Sequence, residues 1–263
     1  MHFIQHLPVN NPEDIKLALV GYLNTKPFEY GIKTSSRRQI YSVYYDNPAN
    51  CVKLYQSNKV DIALVPAGAL PTIGEYRVIT DTCIGCDDEV RTVVLMSNQP
   101  ITDCKHVVLD NHSRTSAQLT RILLKQYWNT DVSYSTEKID DLENLSENNA
   151  VLMIGDKVFE NEEKYKYTYD LGHYWKKMTG LPFAYAVWIA KDYVPNTAIE
   201  QLSKDLDAGI SSIDKVILEQ EKLEPKHDLA SYYRDNIDYV FDEQKKEALE
   251  LYLQKIKEIQ TKK

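Results

Sequence analysis

The apolar residues of this chain fall into short continuous runs separated by segments with helical spacing. Runs rich in β-branched and aliphatic residues predict buried strands, and apolar residues three or four apart predict helices. The predicted strands cover residues 15–21, 39–45, 60–65, 76–83, 91–97, 106–110, 131–135, 150–155 and 183–190. The predicted helices between them cover residues 25–31, 47–58 and 114–128. This alternation is typical of an α/β fold, with mostly parallel sheets covered by helices.

The last 70 or so residues have a different pattern. Residues 196–221 and 242–261 each carry an apolar stripe at helical spacing opposite a charged face, which predicts two amphipathic helices closing against a domain. A coiled-coil seam is the alternative, but too few heptads are present to favour it. The chain passes through one group of βα units, then a second group, and ends in helices. This order predicts two lobes, with residues 1–96 and 188–263 in the first and residues 97–187 in the second. A ligand would then bind between the lobes, outside the carboxyl ends of the strands.

Composition and charge narrow the class of function. The chain has 263 residues, a formal net charge of −8 and 43% hydrophobic residues, which is ordinary for a globular protein. An acidic chain lacks the clustered Lys and Arg that nucleic acid or an anionic membrane surface requires, so neither is an expected partner. No apolar run approaches ~18 residues and the N-terminus does not resemble a signal peptide, so we expect a cytoplasmic protein. Four cysteines fit a reducing compartment.

Polar residues at the ends of the predicted strands are the first candidates for a site. Asn24 and Thr25 follow the first strand, where an amide and a hydroxyl would face the crevice; plain helix capping is the alternative. Gly155 permits close approach of a ligand to the backbone, and Asp156 can contact a ligand or cap the next helix. Thr92 and Ser97 lie in one predicted strand, five residues apart, so they point to opposite faces.

The segment 110–116 joins a predicted strand to a long helix. Ser113 is a candidate N-cap, and the free amides that follow it can bind a carboxylate or phosphate together with the helix dipole. The side chains of Arg114, Thr115 and Ser116 would add donors. A capped helix without a ligand is the alternative.

Motifs for metals, nucleotides and nucleophiles are weak or absent. Cys83 and Cys86 form a single CxxC pair with no second pair, whereas zinc normally needs four ligands. The acidic residues that follow would raise a thiol pKa, which argues against a redox pair. The sequence has no GxGxxG, GxxxxGK[ST] or GxSxG motif, so we expect neither a nucleotide cofactor nor a metal.

Six segments, in order, resemble the menaquinone-biosynthesis chorismate dehydratases over roughly residues 15–190. The segments are YLNTKPFEYG, DIALVPAGAL, CIGCDDEVRTVVLMS, LDNHSRTSAQLTRILL, LMIGD and YDLGHYWKKMTGLPFAYAVW. The resemblance implies a two-lobed fold like the type II periplasmic binding proteins, in a cytoplasmic enzyme without metal or organic cofactor. The implied reaction removes water from chorismate and gives 3-[(1-carboxyvinyl)oxy]benzoate for the futalosine route. A small-anion solute-binding protein without catalysis is the alternative.

The same resemblance assigns roles to individual residues. Asn24 becomes the expected catalytic contact. Substrate contacts are expected from Thr25, Thr92, Ser97, Ser113, Arg114, Thr115, Ser116, Gly155 and Asp156. Ala67 and Cys86 depart from the family pattern, and Ala67 removes one hydroxyl from a wall of the expected pocket.

The implied substrate, chorismate, is a dianion, so a local set of donors must hold it in an acidic protein. The base that removes the ring proton is not evident among the matched motifs. We therefore expect the enolpyruvyl carboxylate of chorismate itself to take the proton. Asp156 or His112 as the base is the alternative.

Overall fold

The described part of the chain forms two β-sheets, and the first of them contains six strands. The computed structural model describes residues 14–110, 113–137, 146, 148–223 and 227–261. The sheet has the strand order β11-β4-β10-β3-β1-β2. Its strands are β1 (Ile15–Val20), β2 (Tyr41–Asp46), β3 (Ile62–Pro66), β4 (Arg77–Cys86), β10 (Phe183–Ala190) and β11 (Asp238–Val240). The aliphatic residues of β3 are fully buried, as expected for a strand covered on both faces.

The second sheet contains five strands in the order β7-β6-β8-β5-β9. They are β5 (Val93–Ser97), β6 (His106–Asp110), β7 (Ser133–Glu137), β8 (Asn149–Ile154) and β9 (Tyr167–Asp170). A small apolar cluster including Met96, Val151 and Met153 packs on this sheet apart from the main core. The two sheets form the centres of two lobes, which confirms the predicted two-lobed α/β architecture.

The expectation of mostly parallel sheets was wrong. The pairs β1–β2, β1–β3, β6–β7 and β6–β8 are parallel, but the remaining pairs of described strands are antiparallel. The chain leaves the first lobe after β4 and returns to it in β10, and these two strands are antiparallel neighbours. Likewise, it enters the second lobe in β5 and leaves it after β9, and these two strands are also antiparallel neighbours. A chain that leaves and returns through neighbouring strands must run in opposite directions in them.

The same crossings correct the predicted lobe boundaries. We expected residues 97–187 in the second lobe, but β5 already belongs to the second sheet and β10 to the first. The chain therefore crosses between Cys86 and Val93, and again between Asp170 and Phe183. Strand periodicity identified β5 and β10 but contains no information about which sheet each one joins.

Eight helices cover the described parts of the sheets. They are α1 (Lys26–Thr34), α2 (Pro48–Gln56), α3 (Arg114–Gln126), α4 (Leu171–Thr179), α5 (Asn196–Ser211), α6 (Ile213–Glu221), α7 (Leu229–Ser231) and α8 (Glu243–Thr261). The single helix predicted over 196–221 is interrupted at Ser212, whose ψ of 21° is not helical. In the described residues, no helix is both long enough and apolar enough to cross a membrane.

Helix α8 connects the two lobes. Its first turns lie beside β11, where the buried Lys245 forms an ion pair with Asp238. Further along, the Tyr252 hydroxyl donates to the backbone oxygen of Thr115 at 2.9 Å, at the start of α3 in the second lobe. Lys255 then donates to Gln126 at 2.7 Å near the end of α3. The stripe predicted for the last helix therefore packs within this chain, across the junction of its lobes.

Helices α1 and α5 approach each other closely at two glycines. A Cβ atom at Gly209 would lie 1.9 Å from the backbone oxygen of Pro27, and one at Gly31 would lie 1.9 Å from that of Asp205. Backbone atoms cannot move aside as a flexible side chain can, so this contact requires glycine on both helices.

Replacement of Gly209 by alanine tests this packing. Overpacking costs about 1–3 kcal/mol, and in a chain of this size each kcal/mol lowers Tm by roughly 2–4 °C. We expect thermal denaturation to show a fall in Tm of that order for Gly209→Ala, even though alanine has a higher intrinsic helix propensity than glycine. Gly74→Ala is the matched control, because no atom lies within 4 Å of the Cβ it would add. An unchanged Tm for Gly209→Ala would contradict the close approach.

Candidate functional site

A cavity lies between the two lobes, at the carboxyl ends of β1, β3 and β8. Its walls include the ends of β1, β3 and β8, the crossing segment before β5, and the start of α3. Seven of the ten residues expected at the site line it: Asn24, Thr25, Thr92, Ser113, Thr115, Ser116 and Gly155. Ser97, Arg114 and Asp156 are not among its lining residues.

Asn24 lies in a tight turn whose backbone is held from several directions. The Leu23 amide donates to both carboxylate oxygens of Asp156, at 3.2 and 3.3 Å. The Tyr233 hydroxyl donates to the backbone oxygen of Leu23 at 2.8 Å, and the Tyr239 hydroxyl donates to that of Asn24 at 2.9 Å. These bonds fix the backbone of the turn while the Asn24 side chain lines the cavity.

Thr25 is used within the turn. Its hydroxyl is buried and lies 2.6 Å from the backbone oxygen of Val20 and 2.9 Å from that of Tyr22. Thr25 is also the N-cap of α1, but neither it nor Asn24 makes a side-chain capping bond there. The side chains of Asn24 and Thr25 therefore do not cap the helix. The Thr25 hydroxyl instead stabilises the backbone of the turn.

The start of α3 forms the opposite wall. The Ser113 hydroxyl caps the helix by accepting from the Ser116 amide at 3.1 Å. The first amides of a helix have no partner within the helix, so this end presents donors and a partial positive charge towards the cavity. Ser116 lies on the same turn and also lines the cavity. This arrangement suits a carboxylate.

Thr115 connects the lobes. Its hydroxyl accepts from the Gly68 amide at 3.0 Å and donates to the backbone oxygen of Tyr185 at 3.1 Å, and both partners belong to the first lobe. A Cβ atom at Gly68 would lie 2.8 Å from the Thr115 Cα, which shows how closely the two backbones approach. The Thr115 hydroxyl therefore positions the start of α3 against the first lobe.

Two expected contacts point elsewhere. The exposed Arg114 side chain donates to the Thr72 hydroxyl at 3.1 Å, away from the cavity. Ser97 lies at the end of β5 remote from the cavity, where its hydroxyl donates to the backbone oxygen of Gln99 at 2.6 Å. The expectation for Ser97 came from the motif. Because β5 runs antiparallel to β8, the start of β5 lies at the cavity and its last residue, Ser97, lies at the opposite edge of the sheet. His112, one of the two alternative bases, lies outside the described residues.

Thr92 and Gly155 complete the wall beside the crossing. The Gly155 amide donates to the backbone oxygen of Thr92 at 2.8 Å. Gly155 has a φ of 72° and a ψ of −162°, a backbone conformation that residues with a side chain rarely adopt. The buried Thr92 hydroxyl lies 3.2 Å from that of Tyr232. Thr92 follows Arg91, which also has a positive φ, of 66°.

Carboxylates lie close behind the neutral lining groups. Asp156 is bound to the Leu23 amide, and the buried Asp110 forms an ion pair with Lys157. Burial, with smaller contributions from Asp110 and Asp156, raises the pKa of Tyr22 to about 12. Because its pKa is raised, Tyr22 is neutral near pH 7 and can donate a hydrogen bond. Tyr22 also lines the cavity.

One carboxylate accepts hydrogen bonds from backbone amides of both crossing segments. Asp170, at the end of β9, caps α4 by accepting from the amides of Gly172 and His173 at 2.9 and 3.2 Å. It also accepts from the amides of Val90 and Arg91, at 3.1 and 2.6 Å. Sequence reasoning missed this residue, although an aspartate directly before a helix is a recognisable capping signal.

Sequence reasoning also missed the tyrosines that surround the site. Tyr232, Tyr233 and Tyr239 come from a segment of mixed polarity after α7, and no periodicity distinguishes it. Tyr185 lines the cavity, and its buried hydroxyl has no hydrogen-bond partner in the described residues. The abundance of tyrosine, 19 residues against 5 Phe, was the available signal, but it does not indicate which ones matter.

Cysteines and metal ligands are not gathered at this site. Cys83 and Cys86 are buried free thiols, and burial raises the pKa of each above its ordinary value. Across the described residues, His, Cys, Asp and Glu form no group of three that could hold a metal ion.

Two lobes joined by two crossing segments, with a cavity between them, define a protein of the periplasmic-binding-protein fold class. Among the solved structures similar to the chain is protein AF1704 from Archaeoglobus fulgidus, with 14% identity and a TM-score of 0.75, covering 96% of this chain and 100% of that one. The Candida albicans CA3427 gene product, described as having the generic periplasmic binding protein fold, has 13% identity and a TM-score of 0.62, covering 91% of this chain and 90% of its own. The alkanesulfonate-binding protein SsuA from Xanthomonas axonopodis pv. citri, bound to MOPS, has 8% identity and a TM-score of 0.62, covering 94% of each chain. At these identities the similarity establishes the fold.

The chain belongs to the menaquinone biosynthesis family, because a sequence model of that family matches residues 15–258. The match covers both lobes and every described residue that lines the cavity. It confirms the assignment to menaquinone biosynthesis that the six motifs indicated.

The cap of α3 and the outward position of Arg114 give a paired prediction. Loss of an N-cap hydroxyl costs typically about 1 kcal/mol, so Ser113→Ala should lower Tm by roughly 2–4 °C. Arg114→Ala removes an exposed side chain and should change stability by no more than about 0.5 kcal/mol. Thermal denaturation of both variants checks this. A larger loss for Arg114→Ala than for Ser113→Ala would contradict the described helix start.

Proposed function

We propose that this protein is a chorismate dehydratase, a carbon–oxygen lyase that forms 3-[(1-carboxyvinyl)oxy]benzoate for menaquinone biosynthesis. The observation that carries the proposal is the convergence of Asn24, Thr92 and the start of α3 on one cavity between the lobes. These three groups come from different parts of the motifs that resemble the dehydratases. Membership of the menaquinone biosynthesis family supports the same conclusion.

The site can hold a dianion although the chain is acidic. The start of α3 offers backbone amides and the positive end of the helix dipole, which suits one carboxylate. The Asn24 amide and the Thr92 hydroxyl, on other walls, can donate to the second carboxylate or to the ring hydroxyl. Donors placed in a cavity with mostly apolar walls interact more strongly with an anion than the same groups would in water.

The proposed elimination needs no redox partner. A proton leaves the ring carbon that bears the enolpyruvyl ether, its bonding electrons form a ring double bond, and the neighbouring carbon–hydroxyl bond breaks. The departing hydroxide takes up a proton and leaves as water, so atoms and charge balance. Because the product ring is aromatic, the driving force lies in the substrate, and the protein has to orient it and stabilise developing charge.

The base in this proposal is the enolpyruvyl carboxylate of the substrate. It is tethered next to the ring proton, so the protein needs only to hold it in position. Asp156 is the alternative, but its carboxylate accepts from the Leu23 amide and is not among the lining residues of the cavity. Its contacts are those of a group that holds the Asn24 turn against the second lobe.

A protein that binds a small anion without catalysis is the second candidate. The alkanesulfonate-binding protein bound to MOPS has the same fold, which supports anion binding in such a cleft but not a particular ligand. Product formation separates the two functions, since a binding protein would retain chorismate unchanged.

Incubation with chorismate, followed by ultraviolet absorbance and mass spectrometry, tests the proposal. We expect an aromatic product lighter than chorismate by one water. Asn24→Ala should lower kcat/KM by about 10²-fold or more, as loss of a donor to developing charge does in other enzymes. Asn98→Ala is the matched control, because Asn98 is exposed and lies at the far end of the second lobe. Unchanged chorismate, or near-full activity of Asn24→Ala, would contradict the proposal or the role of Asn24.

Asp156→Asn separates the two candidate bases. Asparagine retains an oxygen that can accept from the Leu23 amide, so the turn should persist and kcat should fall by less than about tenfold if the substrate carboxylate is the base. The measurement is kcat at saturating chorismate, with circular dichroism as the check on folding. A loss of about 10²-fold or more in a folded variant would identify Asp156 as the base.

A further inference from the structure

Tyr232 is a buried side chain between the lobes that the proposed mechanism does not use. It begins the π-helical segment Tyr232–Asn236 in the first lobe, and it is completely buried. Its ring packs edge-on against Phe159 of the second lobe, with ring centroids 5.3 Å apart. The packing holds the ring from both sides of the cleft, so the position of its hydroxyl is well defined.

The hydroxyl of Tyr232 contacts one of the groups placed at the site. It lies 3.2 Å from the Thr92 hydroxyl. Burial raises the pKa of Tyr232 above its ordinary value, although the hydrogen bond with Thr92 acts in the opposite direction. Tyr232 therefore stays protonated and lies against a hydroxyl that lines the cavity.

The order of donors follows from the chemistry of the two hydroxyls. A phenol is a stronger acid than an aliphatic alcohol, so it is the better hydrogen-bond donor of the pair. The Thr92 oxygen lies within hydrogen-bond distance of the buried phenol. The phenol proton is then directed to the Thr92 oxygen, and the proton of Thr92 is left for another acceptor. Thr92 lines the cavity, where a bound anion supplies that acceptor.

We propose that Tyr232 is a positioning residue that orients the Thr92 hydroxyl, so that Thr92 donates its proton to the anion bound in the cavity. This inference rests on the proposed function for the identity of the anion, chorismate. Without Tyr232, the Thr92 hydroxyl is free to rotate and to donate elsewhere, as threonine hydroxyls commonly do to nearby backbone oxygens.

A double-mutant cycle tests the proposal. The variants are Tyr232→Phe, Thr92→Val and the double variant, and the readouts are the Kd for chorismate by calorimetry, kcat, KM and Tm. We expect Tyr232→Phe to raise Kd about tenfold and the double variant to bind within about twofold of Thr92→Val, because the tyrosine acts through the threonine. Thr92→Ser keeps the hydroxyl and should retain the sensitivity to Tyr232→Phe. If Thr92→Val does not fold, Thr92→Ala takes its place.

The control for loss of a buried tyrosine hydroxyl is Tyr41→Phe. Tyr41 is buried far from the cavity lining and donates to Asp205 at 2.8 Å. We expect this variant to lose stability as Tyr232→Phe does, with an unchanged Kd. A Tyr232→Phe variant that binds as well as the unmodified protein, or losses that add in the double variant, would overturn the proposal.

The outcomes distinguish this inference from the proposed function. Product formation together with additive losses would support the dehydratase and refute the role of Tyr232. Tight binding without product, with coupled losses in Kd, would support Tyr232 and refute the dehydratase. Failure of the unmodified protein to bind chorismate would overturn both.

Discussion

The hydrogen bonds around the Leu23–Asn24 turn are the constraint on which the site depends. A short turn after a strand would ordinarily be able to shift, and with it the amide of Asn24. Here Asp156 fixes it from the second lobe, while Tyr233 and Tyr239 fix it from the first. A net value of roughly 0.5–1.5 kcal/mol for each bond is modest for stability. Their combined effect on geometry is large, because together they allow one arrangement of the turn.

The same principle governs the rest of the junction between the lobes. The Thr115 hydroxyl holds the start of α3 against the first lobe, and the Asp170 carboxylate gathers amides from both crossing segments. Neutral groups thus face the cavity, while Asp156 and Asp170 bind backbone amides and Asp110 pairs with Lys157. This division explains how an acidic chain can present a donor-rich surface to an anion: the charges stabilise the frame, and amides, hydroxyls and a helix end make the contacts.

Sequence patterns were sufficient for most of the elements and for part of the site, although β9, β11, α4 and α7 were not predicted. Periodicity located β10 at its observed bounds, and the motifs placed Asn24 and Ser113 where the cavity is found. Sheet membership and strand direction did not follow, because strand periodicity reports burial of a segment and not its neighbours. Tyr232 escaped detection for a similar reason: its importance comes from a contact with a residue 140 positions away in the chain, which no local pattern records.

The central claim is that chorismate binds between the lobes and is held by neutral donors and a helix end. The most direct measurement is a crystal structure of the Asn24→Ala variant soaked with chorismate, in which slow turnover would preserve the substrate. The account predicts one carboxylate at the amides that follow Ser113, and the ring between that helix start and the turn containing residue 24. A ligand outside this cavity, or one whose carboxylates are both bound by lysine or arginine side chains, would contradict it.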